Sequence, residues 1–149
     1  MKFTSEVEIA DDYRTVAEIW SNEAYFHRWQ DGFQKKIALF GRKGEVGCKS
    51  EIFYNQGKSS MQLVETVLKN DLPESFSAKY EHSHMDNILN VHFMSSGEHQ
   101  TTLNYEVDYI AFRGIMPRIM SFLFPGMFKR QVQKWLNQFK RFVEEEMAE

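Results

Sequence analysis

The chain has 149 residues, a length that suits one domain over 1–149 with a substantial core. A hydrophobic content of 42%, with 15% aromatics, excludes a disordered segment, and a net charge of −3 with interspersed signs gives no polyanion-binding signal. One cysteine, Cys48, excludes an internal disulfide and suits a reducing compartment.

The opening "MKFTSEVEIA" alternates like a strand, with Phe3, Ser5, Val7 and Ile9 on one face, and lacks the apolar core of a signal peptide. No run approaches the roughly 20 apolar residues of a membrane span. The expectation is a cytoplasmic protein with no transmembrane segment. "DDYRTVAEIW" changes period: Asp11 or Asp12 can cap a helix in which Tyr13, Val16, Ala17 and Trp20 share a face. A second short helix, "NEAYFHRWQ", follows. Strand-like runs then begin near Phe33, Val46, Ser59, Glu74, Asn87 and Thr101, broken at "GRKG", "NQGK", "NDLPE", "MDN" and "SSGEH". A terminal helix carries the stripe Phe128, Val132, Trp135, Leu136, Phe139 and Val143, opposed by Lys129, Arg130, Lys134, Lys140 and Arg141. Short connections favour an antiparallel meander, and its one-sided apolar face needs that helix as a cover.

This order resembles the helix-grip fold of the START-like (SRPBCC) superfamily, in its polyketide cyclase/dehydrase and lipid-transport branch. The resemblance is carried by "FHRWQ", "GRKGEVG", "ETVLKNDLPESF", "HFMSSGEHQTTLNYEVDY" and the terminal amphipathic helix. It implies an α+β fold: a seven-stranded curved antiparallel sheet wrapped around a long C-terminal helix, two short helices after the first strand, and an apolar cavity between sheet and helix. It selects neither ligand nor reaction.

Turn lengths suggest a register. A hairpin at "NQGK" sets Ile52 against Met61, Ser50 against Leu63 and Cys48 against Glu65. A turn at Asp86-Asn87 sets Tyr80 against Phe93, His82 against Val91 and His84 against Leu89. A turn near Glu98 sets Phe93 against Leu103 and Val91 against Tyr105. The expected cavity wall is Ile52, Tyr54, Met61, Leu63, Tyr80, His82, Val91, Phe93, Leu103 and Tyr105, with Met120, Phe124 and Phe128 from the Met/Phe-rich segment 115–128.

"ESFSAKYEHSH" ends an apolar face in two histidines. The obvious third metal ligand, His92, falls on the opposite face by this register, so no metal site is expected. His82, Tyr80 and Tyr105 are read as polar groups orienting a ligand, against the alternative of core groups satisfied by backbone or water. Glu65 is read as an inward carboxylate, a proton-transfer group or an acceptor for a ligand hydroxyl, against a rim carboxylate reaching solvent. His82 and Glu65 are the catalytic candidates. "GRKGEVG" lacks the following helix of a phosphate cradle, so no cofactor is expected. Pro125-Gly126 breaks the helical pattern, and segment 115–128 reads as a cavity entrance, a packed helix start or a homodimer contact. The leading expectation is a protein binding an apolar or amphipathic small molecule, lipid- or polyketide-like, and not nucleic acid. Its rivals are a cyclase, dehydratase or hydrolase in the same cavity, and a protein-interaction module docking through 115–128.

Overall fold

The structure, a computed structural model, describes residues 1–115 and 126–147. Seven antiparallel strands form one sheet: β1 (Lys2–Ile9), β2 (Phe33–Phe40), β3 (Lys49–Gln56), β4 (Ser59–Asp71), β5 (Ser75–His82), β6 (Met85–Gly97) and β7 (Gln100–Phe112). Their order, β1-β7-β6-β5-β4-β3-β2, is a meander closed by β1 crossing to pair with β7. Between β1 and β2 lie α1 (Tyr13–Ser21), a 3-10 turn (Glu23–Tyr25) and α2 (Phe26–Trp29). α3 (Met127–Arg141) follows the sheet and ends in a π turn (Phe142–Glu146).

Local chemistry explains the joints. The Asp12 carboxylate accepts from the Arg14 N–H (2.9 Å) and caps α1, and the Asn22 side chain does the same for the 3-10 turn through the Ala24 N–H (3.0 Å). Gly32 is the one residue its turn tolerates. Its φ is +75°, and a Cβ there would lie 1.8 Å from the Asn55 carbonyl oxygen of β3.

α3 buries Leu136 and Phe139 completely, and the π turn brings Phe142 and Val143 inward together. Val132 and Trp135 are only partly buried and pack at the margin of the core. Phe128 sits at the far end of the helix against the rings of Tyr109 (4.8 Å between centroids) and Phe112 (6.5 Å).

Two of the three expected registers shift, and the faces survive both shifts. Gly57-Lys58 alone closes the β3–β4 hairpin, so Ile52 pairs with Leu63, Ser50 with Glu65 and Tyr54 with Met61. The β5–β6 turn comes earlier than Asp86-Asn87. Phe76 therefore meets Val91, Ala78 meets Leu89 and Tyr80 meets Asn87. Both offsets are even numbers of residues, which preserves the inside–outside alternation. The β6–β7 register matches the expectation: Phe93 opposes Leu103 and Val91 opposes Tyr105.

An Arg113 clamp explains the early β5–β6 turn. Its guanidinium donates to both Asp86 carboxylate oxygens (2.6 and 3.1 Å), to the Ser83 carbonyl (3.2 Å) and, more closely still, to the His82 carbonyl. Its own N–H donates to the His84 carbonyl (2.7 Å).

Candidate functional site

A cavity of about 500 Å³ lies between the concave face of the sheet, α2 and α3. Trp20, Phe26, Trp29, Ile52, Leu89, Val107 and Trp135 contribute much of its apolar wall. Rings within and behind this wall pack edge to face: Trp29 and Trp135 are 6.5 Å apart at 89°, and Phe33 stands behind Tyr54 at 5.9 Å and 75°.

One row of the sheet interrupts this wall with polar groups. Cross-strand pairing aligns Tyr109, Asn87, Tyr80, Glu65 and Ser50 over β7, β6, β5, β4 and β3, and all five line the cavity. Glu65 is the hub. One carboxylate oxygen accepts the Tyr80 hydroxyl proton (2.7 Å) and the other faces the Lys36 ammonium (2.9 Å). A second polar pair closes the α2 side, where the Tyr54 hydroxyl donates to Gln30 (2.7 Å). A third lies toward α1, where the Trp20 indole donates to the Tyr105 hydroxyl (2.6 Å).

Lys36 reaches the cavity because β2 is bulged. Phe33 pairs with Tyr54 but Lys35 with Phe53, so one extra residue flips the alternation and turns Lys36 inward beside Ile52. The same flip leaves Ile37 and Leu39 exposed. A second bulge, between Val67 and Lys69 on β4, turns Asn70 inward, where its amide donates to the Gly44 carbonyl (2.7 Å).

Electrostatics favour the charged form of Lys36 and the neutral form of the buried phenols. Burial opposes the charge on Lys36, but the attraction and hydrogen bond of Glu65, then those of Glu23, outweigh it, so its pKa is raised. Burial first, and the Glu65 charge second, push the Tyr54 and Tyr80 phenols well up; burial does the same to Tyr105. Burial raises Tyr109 to about 12. All four phenols are neutral hydrogen-bonding groups at ordinary pH.

The sequence-expected residues divide. Ile52, Tyr54, Met61, Leu63, Tyr80 and Tyr105 line the cavity, as does the carboxylate of Glu65, which is buried and not at a solvent rim. Val91, Phe93 and Leu103 instead fill the packed core beyond the Trp20 ring, which stands 5.5 Å from Phe93 and 5.5 Å from Phe76. The three-row shift of β5 against β6 carries His82 past the cavity to the strand end. There its Nδ1 accepts the His84 N–H (3.2 Å), and the two rings lie 5.6 Å apart. His84 and His92 are exposed. Phe128 is outside the cavity wall, and Met120 and Phe124 lie outside the described residues. Among the described residues, no three His, Cys, Asp or Glu are grouped to hold a metal ion. Lys36, Trp20, Trp29 and Trp135 were not expected in the wall. The bulge that admits Lys36 has no local signature, although "FHRWQ" and the terminal stripe did mark Trp29 and Trp135.

No family model and no curated protein matches the sequence. Solved structures do match the fold. An aromatase/cyclase, ZhuI, from Streptomyces sp. R1128 aligns with a TM-score of 0.80 at 10% identity over 99% of this chain and 96% of its own. Norcoclaurine synthase from Thalictrum flavum aligns at 0.71 and 12% identity, covering 97% and 94%. The ginseng major latex-like protein 151 from Panax ginseng aligns at 0.69 and 15% identity, covering 94% and 95%. At these identities the likeness concerns architecture alone: the chain has the helix-grip fold of START-like proteins.

Proposed function

We propose that this protein binds an apolar or amphipathic small molecule, of lipid-like or polyketide-like character, in the cavity between the sheet and α3. The observation that carries this reading is the cavity itself. Its volume of about 500 Å³ falls within the range of small-molecule sites, and a few fixed polar groups sit in an otherwise aromatic and aliphatic wall. Apolar surface supplies the affinity, while the row through Tyr80 and Glu65 orients a polar end.

The state of the titratable groups favours binding over catalysis. A lysine whose ammonium is favoured is a poor nucleophile, and neutral phenols are poor bases. Glu65 already engages Tyr80 and Lys36. The neighbour named as an aromatase/cyclase keeps a cyclisation activity in view, with Glu65 as the group moving a proton.

The test is direct. The uncharged fluorophore N-phenyl-1-naphthylamine should brighten and shift blue on titration with the protein, and native mass spectrometry of fresh protein should reveal a bound small molecule. A dark probe together with a mass equal to that of the bare chain would overturn the reading.

A further inference from the structure

We propose that the cavity selects an electrically neutral, hydroxyl-bearing apolar molecule over one ending in a carboxylate or an ammonium. This inference rests on the small-molecule reading above and adds the chemistry of the polar end.

Charge accounting inside the wall carries it. Among the described residues, the charged groups lining the cavity are Glu23, Lys36, Lys43 and Glu65. They form one alternating chain: Glu65 to Lys36 at 2.9 Å, Lys36 to Glu23 at 3.6 Å, and Glu23 to Lys43 at 3.3 Å. Side-chain exposure rises along it, from 9% at Glu65 through 15% and 29% to 77% at Lys43. The chain therefore runs from the cavity interior to solvent, and its two cations and two anions cancel link by link.

Among the described residues, a ligand bringing its own charge finds no unpaired partner. A carboxylate near the polar row meets Glu65, and an ammonium meets Lys36; either would also lose its hydration on entering an apolar wall. A neutral hydroxyl avoids both problems. It can donate to a Glu65 oxygen, because a carboxylate has about four lone-pair sites and Tyr80 and Lys36 occupy only part of them. It can also accept from the Lys36 ammonium, which has three protons and directs two of them to Glu65 and Glu23. Hydrogen bonds to charged partners are the stronger kind, so one hydroxyl suffices to fix orientation.

The experiment is displacement of N-phenyl-1-naphthylamine by three matched ligands near neutral pH: 4-hexylphenol (neutral), 4-hexylbenzoate (anionic) and 4-hexylbenzylamine (cationic). The phenol should displace the probe at a concentration about tenfold below either charged ligand. An equal or reversed order overturns the proposal while leaving the cavity reading standing. Failure of the probe to bind strikes the cavity reading itself. Glu65→Gln leaves the cluster with an excess positive charge, so 4-hexylbenzoate should overtake the phenol. Lys36→Met should move 4-hexylbenzylamine ahead in the mirror sense. A folded, probe-binding Glu65→Gln protein that keeps the wild-type order would show that this cluster does not read ligand charge.

Discussion

Ser50→Phe and Val91→Phe add aromatic rings to the same concave face of the sheet and should have opposite consequences. Ser50 lines the cavity beside its cross-strand partner Glu65, with open volume in front of it. Val91 is completely buried between Phe76 and Tyr105, in the core beyond Trp20. A ring added at Val91 has no space and should cost typically 1–3 kcal/mol through overpacking. For a chain of this size that lowers Tm by about 2–4 °C per kcal/mol. A ring at Ser50 enters part of the roughly 500 Å³ already present. Burying a phenylalanine contributes about 1.5–3 kcal/mol at most, so stability should hold or rise. Urea unfolding gives the stabilities, and titration with N-phenyl-1-naphthylamine gives the cavity. Ser50→Phe should unfold at or above the parent midpoint and lose the probe, whereas Val91→Phe should unfold early and keep it. Equal destabilisation by both substitutions would refute the placement of the open volume.

Lys36→Met leaves Glu65 buried without its ammonium and should cost about 3 kcal/mol, the low end for a broken buried pair because the cavity can admit water. Adding Glu65→Gln to it should recover part of that loss in a double-mutant cycle read by urea unfolding. Leu136→Ala, at a fully buried position of α3, should cost about 2–5 kcal/mol, whereas Trp135→Ala, half-buried at the cavity margin, should cost less and weaken probe binding more. Acidification should loosen the β5–β6 turn. Hydrogen bonds from Arg113 hold Asp86 below the usual carboxylate range, so its contribution exists above that range and is lost as pH falls through it. Burial first, then repulsion from His84 and Arg113, holds His82 below 6.5. Its unfolded form binds the proton first, and stability falls as pH drops below about 6.5. Urea midpoints from about pH 7 to about pH 2 should decline in two stages; His82→Gln should flatten the upper one and Asp86→Asn the lower.

The sequence reveals faces more readily than rows. Phe76, Ala78 and Tyr80 point inward in any register that preserves an alternation of two, and so do Val91, Phe93, Leu103 and Tyr105. Which rows bound the cavity depends on turn closure. Arg113, 29 residues after His84 in the chain, shortens the β5–β6 turn by a clamp that no local pattern announces. This shift moved His82 out of the expected wall and left Val91 in the core. Glu65 was legible because its inward position follows from its neighbours Leu63 and Val67. Its partner Lys36 was not. Strict alternation from Phe33 directs Lys35, Ile37 and Leu39 inward, and only the bulge reverses it.

The opening of the cavity bears on what fills it. The cavity opens toward solvent at its Lys43 end, whose side chain is 77% exposed. Without a ligand, water can enter from there, and the polar row from Ser50 to Tyr109 gives that water the partners it needs. An entering ligand returns that water to bulk and replaces it with apolar contact along Trp29, Ile52 and Trp135. It binds the folded state alone, so it should raise stability by mass action, by about 2.7 kcal/mol at a hundredfold excess over Kd. With 4-hexylphenol as ligand, this predicts a rise in Tm of about 5–11 °C, growing with the logarithm of ligand concentration. Ser50→Phe, with part of the cavity already filled by its ring, should show a smaller rise. An equal rise in both proteins would place the ligand outside this cavity.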